Sequence, residues 1–281
     1  MRLKRIPHRI WHYSRKLAYS KKTSSPYLSP DTFMRIADLN LDKDFNQDIE
    51  LIRQASVVFV NSGDIEKFFC EYGKIINAKV LIFGNNDVDF TEFHFSTPRS
   101  VKKVYLQNST VIDDLFSAIP IGIERLRYVT NGVPKLFDDR YAMTEKNQKV
   151  LVGPFSATHP ERKFLTESLN PNSINTHHCR ERLSPADYAR LAASYSFIAC
   201  PRGNGFDTHR FWETLYRGSI PVVIKSNWSK YFSNLGIPMV ELESWAEIEN
   251  GVQSSRAMNM SPRMIPAIWE KFWIEKIRAH L

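Results

Sequence analysis

The chain reads FIACPRGNGFDTHRFWETLYRGSIPVVI from Phe197 to Ile224, and this stretch is the most informative part of the sequence. Its first four residues are apolar and predict a buried strand, which Pro201 ends. A helix follows and stops at Gly218, and the next residues predict a second buried strand. A strand, a glycine-rich turn, a helix and another strand form a unit of a parallel sheet. Because such a turn leads into a helix N-terminus, we expect it to bind an anionic ligand.

The turn and the helix carry many polar side chains. Gly203 and Gly205 predict either positive φ angles or the close approach of a ligand to the backbone. Asp207 or Thr208 is suited to cap the helix. Three charged residues on the helix are three and four positions apart and therefore share one face. They are Arg210, Glu213 and Arg217.

This segment resembles the signature of the exostosin-like glycosyltransferase family, which runs roughly P-R-G-N-G-x-D-T-H-R-x-W-E-A-L-x-x-G-x-I-P-V. The agreement has no gap and is much more specific than a lone G-x-G. The matching residues are Pro201, Arg202, Gly203, Asn204, Gly205, Asp207, Thr208, His209, Arg210, Trp212, Glu213, Leu215, Gly218, Ile220, Pro221 and Val222. The resemblance implies an α/β protein of GT-B fold, in which two Rossmann-like domains face a cleft. It also implies that the C-terminal domain binds a nucleotide-sugar donor.

The resemblance implies a set of donor-binding residues. They are Arg162, Arg202, Gly203, Asn204, Gly205, Asp207, Thr208, His209, Arg210 and Glu213. Arg202 and Arg210 would neutralise the diphosphate leaving group, and Glu213 would accept hydrogen bonds from the ribose hydroxyls. Asn204, Asp207 and His209 would contact the sugar or shape the loop. The simpler alternatives are a helix cap for Asp207, a core position for Trp212, and an ion pair between Arg210 and Glu213.

An upstream segment adds a further arginine to this set. Thr158-His-Pro-Glu-Arg162 follows a strand predicted from Val150 and precedes a helix. Family members have a similar Thr-Asn-Pro-x-x-Arg pattern. In this chain, His159 stands at the position of the asparagine. Arg162 is suited to pair with a diphosphate in bidentate fashion. The alternative is an exposed arginine on the helix.

Exostosin-like enzymes with this signature generally invert the anomeric centre. Inversion needs a carboxylate or a histidine that takes the proton from the acceptor hydroxyl. In GT-B enzymes, this base usually follows a strand of the N-terminal domain. The segment FGNNDVD, from Phe83 to Asp89, directly follows an apolar strand. Asp87 is therefore the first candidate for the base, and Asp89 and His94 are the next.

These aspartates have other interpretations. Asp87 and Asp89 can form an Asx-turn or bind acceptor hydroxyls. Asp87-Val-Asp89 also has the Asp-x-Asp form of the metal site in GT-A glycosyltransferases, but the pattern is short and common by chance. The resemblance to a GT-B family favours transfer without a metal, and we expect none. A polar loop after Gln107 offers Asp113 and Asp114 as reserve candidates for the base.

Together, these features predict a metal-independent glycosyltransferase. The resemblance implies that it would move a sugar from a UDP-sugar, such as UDP-xylose, UDP-galactose, UDP-glucuronate or UDP-GlcNAc, to an oligosaccharide or a glycoprotein glycan, and that it would need no cofactor. The alternative is a non-catalytic module that binds sugars or nucleotides on the same fold. A decayed site should lose its charged residues, and the retention of Arg202, Arg210 and Glu213 argues against that alternative. An epimerase or dehydrogenase is disfavoured because no early G-x-G-x-x-G follows a strand.

The predicted elements divide the chain into two halves. Residues 1–145 form the acceptor-side domain, with a βαβ unit between Gln54 and Phe83 and short strands at Lys103–Gln107 and Ile119–Gly122. Residues 146–260 form the donor domain. Residues 261–281 predict a continuous apolar helix that begins near Pro262 and packs back towards the N-terminal domain, as the last helix of GT-B enzymes often does.

Composition limits where such a protein acts. Of its 281 residues, 43% are hydrophobic, which suffices for two domains with cores. No apolar run approaches the length of about 18 residues that predicts a transmembrane helix. The three widely spaced cysteines predict neither a disulfide framework nor a zinc site. They are typical of a reducing compartment, and we expect a cytoplasmic protein.

The formal net charge of +8 is concentrated at the N-terminus. Residues 1–22 contain eight Lys and Arg residues and no acidic residue. Aromatic residues lie between these charges, so the segment is suited to rest on an anionic membrane surface, at about 1 kcal/mol per charge. The alternative is a solvated basic arm or a first helix. We expect no nucleic-acid partner, because the charge is local and no nucleic-acid-binding motif accompanies it.

Overall fold

Parallel β-sheets form the framework of the protein in the computed structural model. The structure describes residues 22–42, 44–91, 95–138, 143, 145–170, 172–252 and 261–281. Nearly all of the basic segment and the candidate base His94 lie outside the described residues. The predictions made for them therefore have no structural counterpart.

The described strands form two five-stranded sheets, and the strand pairs in each are parallel. The first sheet contains β1 (Leu39–Leu41), β2 (Val57–Asn61), β3 (Val80–Gly84), β4 (Lys103–Gln107) and β5 (Phe116–Ile119), in that spatial order. The second contains β6 (Asn147–Val152), β7 (Thr176–His178), β8 (Tyr195–Ala199), β9 (Ile220–Ile224) and β10 (Val240–Leu242). Its spatial order is β10-β9-β8-β6-β7. The prediction of an α/β fold is confirmed.

Helices cover the faces of these sheets. They are α1 (Pro30–Ile36), α2 (Ile49–Gln54), α3 (Ile65–Tyr72), α4 (Pro160–Glu167), α5 (Pro185–Ala193), α6 (His209–Tyr216), α7 (Asn227–Asn234) and α8 (Glu270–Arg278). The prediction of a continuous helix from Pro262 is wrong. Two 3₁₀ turns, Pro262–Met264 and Pro266–Ile268, precede α8. Pro266 disfavours the helical conformation of the residue before it, and Ile265 is extended at φ −82° and ψ 120°.

Alternate residues of the first sheet enter two different cores. Val58 of β2 shares one buried cluster with Phe68 of α3. Phe59, which points to the opposite face, lies in a larger cluster that contains Trp273 of α8. The last residues of the chain thus cover the face of the first sheet that α2 and α3 leave open.

The strand order of the second sheet creates a crevice. The chain passes from β6 to β7 on one side and then continues from β8 to β10 on the other. The direction reverses between β6 and β8, and open α/β sheets bind ligands outside the carboxyl ends of the strands at such a point. The described strands of the first sheet follow one another without a reversal.

Buried polar contacts join the two halves. The Tyr216 hydroxyl accepts a hydrogen bond from the Leu28 N–H at 3.0 Å and donates one to the Ile268 carbonyl at 2.6 Å. Helix α6 is thereby tied to segments from both ends of the chain. No helix in the part of the chain that the structure describes is long and apolar enough to cross a membrane.

Candidate functional site

A cleft of 640 Å³ opens at the carboxyl ends of β6 and β8, where the strand order reverses. It is lined by the loop after β6, the start of α4, the segment before and within α6, and parts of the first half. Nine of the ten predicted donor-binding residues line it: Arg162, Gly203, Asn204, Gly205, Asp207, Thr208, His209, Arg210 and Glu213. The second half therefore gathers these predicted residues in one place.

Arg162 holds two loops of the cleft together. Its Nε donates to the Arg202 carbonyl at 2.9 Å, and its Nη1 donates to the Ser156 Oγ at 3.0 Å. Burial, followed by the nearby charge of Arg210, lowers the pKa of Arg162. Arg162 is thus a half-buried arginine of the cleft, and the alternative of an exposed helix position does not apply.

His159 takes over the role that asparagine is suited to at a helix start. It is the N-cap of α4, and its Nδ1 accepts a hydrogen bond from the Glu161 N–H at 3.3 Å. An asparagine side chain caps helices by the same kind of bond. The departure from the Thr-Asn-Pro-x-x-Arg pattern therefore preserves the helix cap.

Arg210 is partly satisfied by the protein and partly free. Its Nη2 donates to the Pro154 carbonyl at 2.6 Å, and the guanidinium lies over the rings of Phe155 and Tyr188 at 4.8 and 5.1 Å. The Arg210 Nη1 and the Tyr188 hydroxyl are buried and have no hydrogen-bond partner among the described residues. Buried donors without partners are rare in proteins because desolvation of each costs about 1–3 kcal/mol. These two groups are suited to an anionic ligand.

Arg202 has partners within the protein. Its Nη2 lies 3.0 Å from Asp89 Oδ2, and its guanidinium stacks on the Phe206 ring at 3.9 Å. It is the one predicted donor-binding residue that does not line the cleft in the described structure. The first and second halves meet at this ion pair.

Glu213 and Arg217 form a buried ion pair one helical turn apart, at 3.4 Å. The sequence suggested Arg210 as the ionic partner of Glu213, but Arg210 bonds to the Pro154 carbonyl instead. Arg217 also lies over the Phe137 ring at 4.6 Å. Glu213 therefore reaches the cleft with one oxygen near a fixed cation.

The glycines of the turn are required for space. Neither Gly203 nor Gly205 has the positive φ angle that the sequence suggested. A Cβ at Gly203 would lie 2.9 Å from Arg162 Nη2, and one at Gly205 would lie 2.3 Å from the Asn108 side chain. Each glycine thus permits the close approach of a neighbouring side chain to the turn.

Gly205→Ala is expected to destabilise the protein by about 1–3 kcal/mol, because Asn108 is itself held by the Asp207 N–H at 3.0 Å and has little room to move. Urea unfolding gives the free energy of unfolding. Gly203→Ala is the matched control and should cost less, because the end of the long Arg162 side chain can move. Equal stability of Gly205→Ala and the wild type would show that the contact with Asn108 is not needed.

Asp207 links the halves from a buried position. Its Oδ2 accepts from the Ile121 N–H at 2.6 Å, and its Oδ1 accepts from Trp212 Nε1 at 2.7 Å. Burial raises the pKa of Asp207 to about 8, against the opposite effect of these hydrogen bonds. The proton of this carboxyl would be held more tightly in the folded state than in the unfolded state.

Two neighbours of Asp207 have structural positions. Trp212 is fully buried in the core, as the alternative interpretation of the sequence predicted. Thr208 is the N-cap of α6 but makes no side-chain capping bond.

A smaller cavity of 330 Å³ lies at the carboxyl ends of the first sheet. Its polar lining includes Asn85, Asn86 and Gln107. The two cavities meet, because Asp87, Ile121 and His209 line both of them. Asp87 Oδ2 accepts from Asn204 Nδ2 at 2.9 Å.

The other reserve candidates lie elsewhere. Asp113 Oδ1 accepts from the N–H groups of Leu115 and Phe116 at 2.8 and 2.6 Å. These bonds form an Asx-type turn before β5, at the amino end of that strand. Neither Asp113 nor Asp114 lines either cavity in the described structure.

Sequence reasoning missed a polar network at the edge of the first sheet. Gln107 Oε1 accepts from the Asn85 N–H at 3.0 Å, and Asn86 Nδ2 donates to Asn61 Oδ1 at 3.1 Å. Asp42 in turn accepts from Asn61 Nδ2 at 3.1 Å. These residues end or follow β1 to β4. For Asn61, Asn85 and Gln107 the available signal was a polar residue at or just after the end of a predicted strand, whereas no strand was predicted before Asp42.

Sequence reasoning also missed two arginines of the cleft, Arg180 and Arg182. They follow β7, which pairs with β6, so their strand ends at the same edge of the sheet. The sequence analysis predicted no strand at Thr176–His178, so the predicted elements gave no signal for these two arginines.

Among the residues that the structure describes, no three or more His, Cys, Asp or Glu side chains are grouped as metal ligands would be. The two aspartates of Asp87-Val-Asp89 contact Asn204 and Arg202, respectively. No model of a known protein family matches the chain, and no curated protein matches it.

Proposed function

We propose that the protein is an inverting glycosyltransferase of GT-B type, which transfers a sugar from a UDP-sugar to a glycan hydroxyl without a metal ion. The observation that carries this proposal is the unpaired, buried Arg210 Nη1 in a cationic cleft at the reversal of a parallel sheet. The signature around Arg210, with its resemblance to exostosin-like enzymes, supports the reaction class.

The charge of the cleft favours a diphosphate. Four arginines line it: Arg162, Arg180, Arg182 and Arg210. Against them stand three acidic residues of the lining: Glu213 pairs with Arg217, Asp207 bonds to buried N–H groups, and Asp87 accepts from Asn204. An anion that entered this cleft would therefore meet uncompensated positive charge.

These cations would act on the leaving group. As the bond from the sugar to the diphosphate breaks, negative charge grows on the departing oxygen, and fixed donors stabilise it. Arg210 is held in place by the Pro154 carbonyl and two aromatic rings, so little reorganisation is needed. The N-terminus of α6, which begins at His209, adds a favourable dipole.

The acceptor would occupy the smaller cavity. Its amide groups are suited to hydrogen bonds with sugar hydroxyls. An inverting displacement requires the acceptor hydroxyl on the opposite side of the anomeric carbon from the diphosphate, and we place that hydroxyl at the junction of the two cavities. Asp87, the candidate base from the sequence, lines this junction.

The identity of the donor follows from the resemblance, which points to uridine nucleotides. UDP-xylose, UDP-galactose, UDP-glucuronate and UDP-GlcNAc are the sugars to test first. The acceptor class, an oligosaccharide or a glycoprotein glycan, has the same basis.

UDP at 100 times its dissociation constant should raise the free energy of unfolding by about 2.7 kcal/mol, because it binds only the folded protein. This stabilisation is seen as a rise in Tm when UDP is added. Because the proposed reaction uses no metal ion, the rise in Tm should be equal with and without EDTA. The exposed Arg190→Ala variant, which loses an ion pair with Asp187, serves as a matched control and should retain the shift. A shift with a GDP- or CMP-sugar and none with UDP or UDP-sugars would contradict the donor assignment. Binding without release of UDP from any UDP-sugar would favour a non-catalytic module.

A further inference from the structure

His209 lies where the two cavities meet. Of the polar side chains that the structure describes, His209 and Asp87 line both cavities. His209 is the first residue of α6, directly after its N-cap Thr208. Its backbone therefore belongs to the donor half, while its side chain reaches the first half.

The imidazole ring has a defined orientation. His209 Nδ1 lies 2.8 Å from the Gly122 carbonyl oxygen. A carbonyl oxygen only accepts hydrogen bonds, so Nδ1 carries the hydrogen in this contact. In the neutral ring the lone pair is then on Nε2. Nε2 has no hydrogen-bond partner among the described residues.

The contact that orients the ring is rigid. Gly122 has φ +66°, and a Cβ at this position would lie 2.1 Å from the Leu28 carbonyl oxygen. The preceding residue, Ile121, donates its N–H to Asp207 at 2.6 Å. Two consecutive residues of the first half thus hold the turn into α6 on both sides of its N-cap.

Asp87 is less free to act. One of its oxygens accepts a hydrogen bond from Asn204 at 2.9 Å, and Asp89 beside it pairs with Arg202 at 3.0 Å. Both carboxylates thereby hold the glycine-rich turn of the donor half against the first half. This position suits a residue that orders the donor loop.

We propose that His209 Nε2 is the group that takes the proton from the acceptor hydroxyl, with Asp87 as a positioning residue. This inference rests on the proposed function. In the step, the acceptor oxygen forms a bond to the anomeric carbon while its proton moves to Nε2. The bond between that carbon and the diphosphate oxygen breaks, and its electron pair leaves with UDP beside Arg210. The imidazolium then returns its proton to solvent.

The test compares two variants of the full chain, His209→Asn and Asp87→Asn, in kcat, in the dissociation constant of UDP and in Tm. The side-chain amide of Asn in His209→Asn can still donate to the Gly122 carbonyl, but it has no group in the position of Nε2. We expect kcat for UDP release from the preferred UDP-sugar to fall by about 10²–10⁴-fold. The dissociation constant of UDP and Tm should stay close to wild type. Asp87→Asn should mainly weaken donor binding and lose less in kcat.

Added imidazole distinguishes a catalytic role of His209 from a structural one, because free imidazole can accept a proton but cannot restore a lost structural contact. His209→Ala opens space at the junction, and added imidazole should restore part of its kcat, whereas Asp87→Ala should not respond. Unchanged kcat in His209→Asn, or the larger loss of kcat in Asp87→Asn, would overturn the inference. If the wild type itself turned over no nucleotide sugar, with water or glycosides as acceptors, the proposed function would fail and this inference with it.

Discussion

Arg210→Ala should lower kcat for sugar transfer by about 10²–10³-fold, because in the proposed reaction Arg210 is a fixed donor to the leaving group, on which negative charge grows. In the structure, Arg210 Nη1 is buried without a partner among the described residues while Nη2 is bound at 2.6 Å to the Pro154 carbonyl. One side of the guanidinium is thus bound to the protein, and the other has no hydrogen-bond partner among the described residues. Product formation with the preferred UDP-sugar is the measurement.

Two further variants separate charge from geometry at this position. Arg210→Lys keeps a positive charge but loses the planar fork that binds phosphate oxygens in pairs, so its activity should be intermediate. Arg190→Ala removes an arginine from an exposed ion pair with Asp187, and it should behave like the wild type. Far-UV circular dichroism and Tm show whether Arg210→Ala is folded. Full transfer activity in a folded Arg210→Ala would remove Arg210 from the mechanism.

The second half was predictable because its signals are local. The apolar runs of β8 and β9 and the polar turn between them lie within one short stretch, and the structure brings their polar residues to one cleft. The reason for its glycines was not predictable. Gly205 is needed because Asn108, far away in the sequence, packs against it. Such a contact depends on how the two halves meet.

The polar edge of the first sheet was harder to predict because its residues are spread over several strand ends. Asp42, Asn61, Asn85 and Gln107 each stand alone in the sequence, and only the order of the strands places them in one network. The interruption of the last helix could have been predicted, because Pro266 disfavours helix at the residue before it. The apolar pattern of the segment concealed that break.

Asp207→Ala should be the most destabilising substitution at the site. It leaves two buried donors, the Ile121 N–H and Trp212 Nε1, without their acceptors. Each unsatisfied group costs about 1–3 kcal/mol, so we expect a total loss of about 4 kcal/mol. For a protein of this size, that corresponds to a Tm lower by about 10 °C. Asp114→Ala, which changes an exposed carboxyl outside both cavities, should have little effect in the same measurement.

The pH dependence of stability tests the buried state of Asp207 separately. Burial raises the pKa of its carboxyl from 3.8 to about 8, so the folded state holds this proton more tightly than the unfolded state does. The resulting stabilisation is complete below the unfolded pKa and is lost as the pH rises towards about 8. Asp207→Asn has no such proton. The difference in unfolding free energy between wild type and Asp207→Asn should therefore be larger at about pH 5 than at about pH 8, as urea titrations at both values can show. A difference that grows with pH would mean that the hydrogen bonds from Ile121 and Trp212 outweigh burial and keep the carboxylate ionised.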